Sequence, residues 1–274
     1  MHIVHATDFS RGGLPAFVHA LAIGLVHQAR LTLVHVGRPS EGPPDWSQFP
    51  GVRPQLSAWG LLAEGAGKAE VAERLGLRVG KMALPGPDPV SVVPGLLEEM
   101  QADLLVLGHG ASEGSWPFAR RSVSGALAGR AAVPTLVVPD MTGGFVSPRD
   151  GSLSLRRVIC AVDVAPDPRE AILEAAGLLG DLAAEATAVE LFHVGRALPE
   201  PAVTAEDLPG ARLSRHAAPG DPATEILGRL AEVGPDLLVL ISEGRRGVVD
   251  MLYGSITEQV LRAAQTPVLV VPAR

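Results

Sequence analysis

The sequence contains no asparagine, one cysteine, one tyrosine and three tryptophans, and its arginines greatly outnumber its lysines. With Cys160 alone, no intrachain disulfide can form; the thiol lies in the apolar run "VICAV" and reads as a buried structural side chain. The missing asparagine fits avoidance of a heat-labile residue and fits a GC-rich genome equally well; neither account bears on function. No apolar run approaches the ~20 residues a membrane span needs. The strand pattern begins at residue 2 with no leader-like segment, so the expectation is a cytoplasmic protein that does not engage a membrane. Net charge is −7 with no long basic run, which argues against nucleic acid as a partner.

Catalytic and metal signatures are missing as well. There is no G-x4-G-K-[ST] phosphate loop, and "GHGASEG" departs from G-x-G-x-x-G and follows the fourth strand rather than the first. His2 and His5 are three apart on a strand and face opposite ways, while His35 and His193 occupy equivalent strand ends, so no dedicated metal site is expected. Ser255 has no base beside it in the sequence, so no catalytic residue is assigned, and a slow ATPase is the one enzymatic reading left. Trp46, Trp59 and Trp116 are scattered, as core or interface residues are.

What the chain does have is a repeat. "HIVHATDFS" (2–10) matches "RVICAVDVA" (157–165), and "LTLVHVG" (31–37) matches "AVELFHVG" (188–195). "ADLLVLGHG" (102–110) matches "PDLLVLISEG" (235–244), and "VPTLVVP" (133–139) matches "TPVLVVP" (266–272), in the same order. The runs are short, rich in Val, Leu and Ile, and separated by helical patterns. They therefore read as strands buried on both faces of a parallel sheet. The expected architecture is α/β: two doubly wound, five-stranded parallel-sheet domains related by a pseudo-twofold, at 1–140 and 156–274, joined by a Gly-, Ser- and Pro-containing linker at 141–155.

The copies differ in one connection. About 39 residues follow "HVG" before the third strand of the first copy, but only about 15, "RALPEPAVTAEDLPG", in the second. That is too short for a full crossover helix, so the second domain should lack most of its second helix. The apolar face so exposed should be covered by the first domain or by a second chain.

In such a sheet, ligands bind beyond the carboxyl ends of the strands where strand order reverses. Asp8 and Asp163 end the first strands there, and turns at 108–111 and 241–244 end the fourth. Gly254-Ser255 opens a helix whose free N–H groups suit phosphate, although Ser255 and Glu258 also form an S-x-x-E capping box that needs no ligand.

Taken together, "ATDFS", "AVD", the two "HVG" runs, "GDPATEIL", "DLLVL" and "GRRGVVDMLYGSITEQVLRAAQTPVLVVP" resemble the universal stress protein family, twice over, nearly end to end. The resemblance implies small α/β domains that pair through their last strand. It also implies a stress-response role, with members that carry G-x2-G-x9-G-[ST] and bind ATP and members that lack both. The second copy keeps Gly244, Gly254 and Ser255 but has Ile241 for the first glycine. The first copy keeps Gly108 and Ser122 but has Ala111 and Arg121 for the others. Ile241 places a β-branched side chain where backbone should approach the ligand. Arg121 either fills the phosphate position with its own cation or reaches a phosphate from outside.

By resemblance, the nucleotide site of the second domain comprises Ala161, Val162, Asp163, Val194, Ile241, Gly244, Gly254, Ser255, Ile256 and Thr257. Asp163 lies near ribose or a metal, and the backbone of Val194 near adenine. The bland role for Asp163 is a turn residue before Pro166. The corresponding, weaker site in the first domain comprises Thr7, Asp8, Val36, Gly108 and Ser122. The implied ligand is ATP, with or without Mg2+, in the second domain, and the implied assembly is a homodimer through the last strands or through the uncovered face. The alternative is a dimerisation scaffold that binds no nucleotide.

Overall fold

The computed structural model describes residues 1–38, 40, 42–110, 122–140, 144–196, 203–242 and 256–273. The first half runs β1 (His2–Ala6), α1 (Leu14–Val26), β2 (Arg30–Gly37), α2 (Val52–Ala58), α3 (Lys68–Leu75), β3 (Arg78–Pro85), α4 (Pro89–Glu99), β4 (Leu104–His109), α5 (Val123–Ala128) and β5 (Thr135–Pro139). The second runs β6 (Leu155–Ala161), α6 (Arg169–Leu179), β7 (Ala183–Val194), β8 (Arg212–Ala218), α7 (Pro222–Val233), β9 (Leu237–Ser242), α8 (Ile256–Ala263) and β10 (Val268–Pro272). Helix starts repeat along with the strands. Asp88 and Asp221 each cap a helix that begins with proline, accepting from Ser91 and Thr224 N–H respectively. Asp167 accepts from the Arg169 N–H at the start of α6.

All ten strands form one sheet, in the order β3-β2-β1-β4-β5-β10-β9-β6-β7-β8. Pairing is parallel within each half, and the halves meet antiparallel through β5 and β10, with Leu136 opposite Leu269. Central strands such as β4, β5 and β9 are mostly continuous buried apolar runs, whereas the outer strand β3 is largely exposed. This arrangement corrects one expectation. The last strands are not open edges for a second copy: β5 lies between β4 and β10, and β10 between β5 and β9, so their N–H and C=O groups are already paired. Among the described residues the sheet's outer strands are β3 and β8.

One face of the sheet carries α1, α2, α3 and α6 over a single apolar cluster that runs from Ile3, Phe17 and Leu31 to Cys160, Ile172 and Val239. Helix α1 is apolar around most of its circumference because it has neighbours on most sides; Ala16 to Gly24 are all buried. His27 Nε2 bonds the Leu178 carbonyl at 2.9 Å, tying α1 to α6. The segment after residue 143 lies over α1, where Phe145 N–H donates to His19 Nε2 at 3.1 Å. It also meets α2: Trp59 Nε1 donates to the Pro148 carbonyl at 3.1 Å. Gly151, at φ +71, lies so close to the Trp59 indole that a Cβ there would meet the ring at 2.8 Å.

Among the described residues no helix connects β7 to β8, as the short connection requires. The exposed face is covered in part by the second domain's own 203–211 segment. Val203 and Leu208 turn inward, and Asp207 pairs with Arg169 of α6. Beneath that segment remains a cavity of about 460 Å³.

Candidate functional site

The two crevices lie at the carboxyl ends of β1 and β4 and of β6 and β9, the positions where strand order reverses. They are built alike at the turn that leaves the first strand. Thr7 N–H donates to Val34 O at 2.8 Å, and Val162 N–H to Phe192 O at 2.8 Å. His35 Nδ1 bonds Thr7 O at 2.9 Å, and His193 Nδ1 bonds Val162 O at 3.0 Å. The paired histidines of the "HVG" runs are therefore latches on this turn. Asp8 Oδ1 accepts from Ser10 N–H, and Asp163 Oδ1 from Val164 N–H at 2.7 Å and lies 3.8 Å from His193 Nδ1. Both carboxylates remain exposed at the rim.

The residue after each aspartate separates the two sites. In the first domain it is Phe9, held at φ +63, with its ring stacked on His35 at 4.3 Å and set edge-on to Trp46 at 5.1 Å. Phe49 completes the group, and Lys81 Nζ sits 5.0 Å over the Trp46 ring. These rings pack around His35 near the carboxyl end of β2, on the sheet face that carries α1. In the second domain the equivalent residue is Val164, 71% exposed and the most exposed large apolar side chain among the described residues. It stands beside Asp163, with Ala161, Val162 and Val194 behind it at the strand ends.

The fourth-strand ends also differ. Gly108 lacks a side chain because its own chain comes close: a Cβ there would lie 3.3 Å from Gly13 Cα and 3.6 Å from Gly12 O. Its glycine thus serves packing against the turn before α1. Ile241, at the equivalent position, stays in strand, paired with Val271, half-buried against the cluster on the α6 face. Ser122 caps α5, its Oγ accepting from Gly125 N–H at 3.1 Å. Gly244, Gly254, Ser255, Ala111 and Arg121 lie outside the described residues. Ile256 and Thr257 open α8, where Ile256 is exposed and Glu258 pairs with Arg262 at 3.5 Å. The sequence reading missed the aromatic closure of the first site; its signal was the change from "TDFS" to "VDVA" between otherwise matching turns.

The fold and these crevices define a tandem, doubly wound α/β protein with two unequal copies of one strand-end site. A sequence model of the Universal stress protein family matches residues 1–139 and again 149–272, so the chain belongs to that family. Universal stress protein YxiE of Bacillus subtilis (strain 168) is 41% identical over 54 residues, a match that covers 20% of this chain and 36% of that relative. Among solved structures, a universal stress protein from Archaeoglobus fulgidus DSM 4304 superposes with a TM-score of 0.64 at 20% identity, covering 99% of this chain and 96% of that one. A functionally unknown protein from Pseudomonas aeruginosa PAO1 gives 0.62 at 16%, covering 99% and 92%. Both share the fold. Among the described residues no helix is long and apolar enough to cross a membrane.

Proposed function

We propose that the chain is a stress-response regulator whose second domain binds an adenine nucleotide at the carboxyl ends of β6 and β9, while the first domain's site is closed by its own side chains. One observation carries this reading: the turn that holds a stacked Phe9 in the first domain holds a bare, exposed Val164 in the second. An apolar side chain left in water beside an exposed carboxylate suits a ligand with a flat apolar face and a polyhydroxylated sugar. Asp163 would meet the ribose or a Mg2+ carried by the phosphates, and the backbone at Val162 and Val194 would meet the base. Gly244, Gly254, Ser255 and the start of α8 would receive the phosphates. Ile241 supports the reading in so far as its half-buried side chain packs against the cluster on the α6 face.

Thermal unfolding with millimolar MgATP tests it. Binding to the native state at a hundredfold excess over Kd stabilises by about 2.7 kcal/mol and raises Tm. Val164→Phe, which copies the first domain, should weaken the shift at least tenfold in ligand concentration, and Gly254→Arg should abolish it. Phe9→Trp should leave it unchanged. No shift in the wild type, or one that survives both second-domain changes, refutes the assignment.

A further inference from the structure

The cavity under the 203–211 segment lies on the sheet face that carries α6. Its walls come from β6 as far as Cys160, from the first half of β7, from Val239 of β9, from α6 and from the segment itself. The first domain shows what this part of the fold requires. There the corresponding face is packed by Phe49, Leu56, Leu62 and Val71 from the β2–β3 connection, all buried against the same cluster as Ile3 and Leu31. The second domain keeps the apolar floor, and among the described residues of its connection Val203 and Leu208 are the buried apolar side chains that fill it. Val158, Cys160, Ile172, Val189 and Val239 therefore face space that the chain leaves empty among the described residues. A register shift widens the floor: β7 takes five residues, from Ala183 to Ala188, to pass what β6 passes in two, with Ala186 at φ +59.

We propose that this cavity is a binding site for a neutral, hydrocarbon-rich small molecule. Size and charge set the class. A cavity of about 150 Å³ takes benzene, so the roughly threefold larger volume here holds at most about eighteen non-hydrogen atoms of an alkyl, acyl or fused-ring skeleton. Among the described lining residues Asp207 is the single charged group, and it is engaged by Arg169 at 3.0 Å and by Thr204, at the mouth rather than the floor. An anion or cation would find no partner inside, whereas an apolar skeleton restores the contacts that side chains provide in the first domain. Burial pushes the Cys160 thiol up to about 12, so this wall also stays uncharged.

The test uses the whole 274-residue chain and 1-aminoanthracene, a neutral, largely hydrocarbon fluorescent amine. One saturable site per chain is expected, displaced by 1-decanol and weakened at least tenfold by Ala176→Phe, which places a ring in the cavity. A second measurement needs no variant. The Tm of the wild type should rise with saturating 1-decanol in the absence of MgATP. The probe's affinity should not change with saturating MgATP, so failure of the nucleotide reading leaves this one standing. Absence of saturable binding overturns the proposal, including the case in which a second copy of the chain is found to cover this face. Binding that ignores 1-decanol and Ala176→Phe, or that ATP displaces, overturns it too.

Discussion

Acidification should detach the inter-domain segment through His19. This imidazole is fully buried; its Nδ1 bonds the Pro15 carbonyl at 2.6 Å and its Nε2 accepts the Phe145 N–H at 3.1 Å. With a carbonyl on one nitrogen and an N–H donor on the other, the ring must be neutral with its proton on Nδ1. Burial accordingly pushes its pKa down from 6.5 to about 4. The unfolded chain protonates at about 6.5, so the stabilisation is fully present above that pH and is lost as pH falls from 6.5 toward 4. Between pH 7.5 and 5.0 the loss comes to about 2 kcal/mol. His5 is buried in the same way, also near 4, and contributes a similar amount. Asp150 and Asp207, held near 2, keep their charge throughout this window. Urea unfolding at the two pH values measures the effect. His19→Gln should be less stable at pH 7.5 yet lose about 2 kcal/mol less than wild type on going to pH 5.0. The protection factor of the Phe145 amide, exchange corrected for its intrinsic pH dependence, should fall on acidification in the wild type. An unchanged pH dependence in His19→Gln would refute the argument.

Two further substitutions test the packing. Arg229 of α7 makes paired bonds to Glu190 of β7 at 2.8 and 2.6 Å with both side chains largely buried, so Glu190→Gln should cost about 2 kcal/mol in denaturant unfolding. Replacing both residues with leucine should recover most of that. Gly108→Ile should destabilise by about 3 kcal/mol because the 11–13 turn occupies the space, whereas Ile241→Gly should cost about 2 kcal/mol by emptying a half-buried position. Equal costs at the two sites would contradict the account of how they differ.

The fold was legible because Val- and Leu-rich runs, separated by helical patterns, repeat in the same order in both halves. The short connection after β7 disclosed a missing helix, because residue count limits what a crossover can be. The meeting of β5 with β10 was not legible. "PTLVVP" and "PVLVVP" show that each strand wants a partner on its outer side, but an apolar run reads the same whether that partner is another chain or its own repeat. The site was legible only as a location. Gly108 looked like a ligand glycine, yet Gly12 and Gly13 approach it from a segment a hundred residues away in sequence, and no spacing rule reports such contacts. Phe9 was hidden for the same reason, since its stacking partners His35 and Trp46 come from a different stretch of chain.

The β5–β10 seam has an evolutionary consequence. In a symmetric pair of identical subunits, every substitution is made twice, so a site cannot be altered on one side alone. Here the two sides are written separately in one gene product and held in fixed one-to-one proportion. One side is free to fill its hollow with aromatic rings and the other to shed a helix, while the seam that joins them stays under common selection.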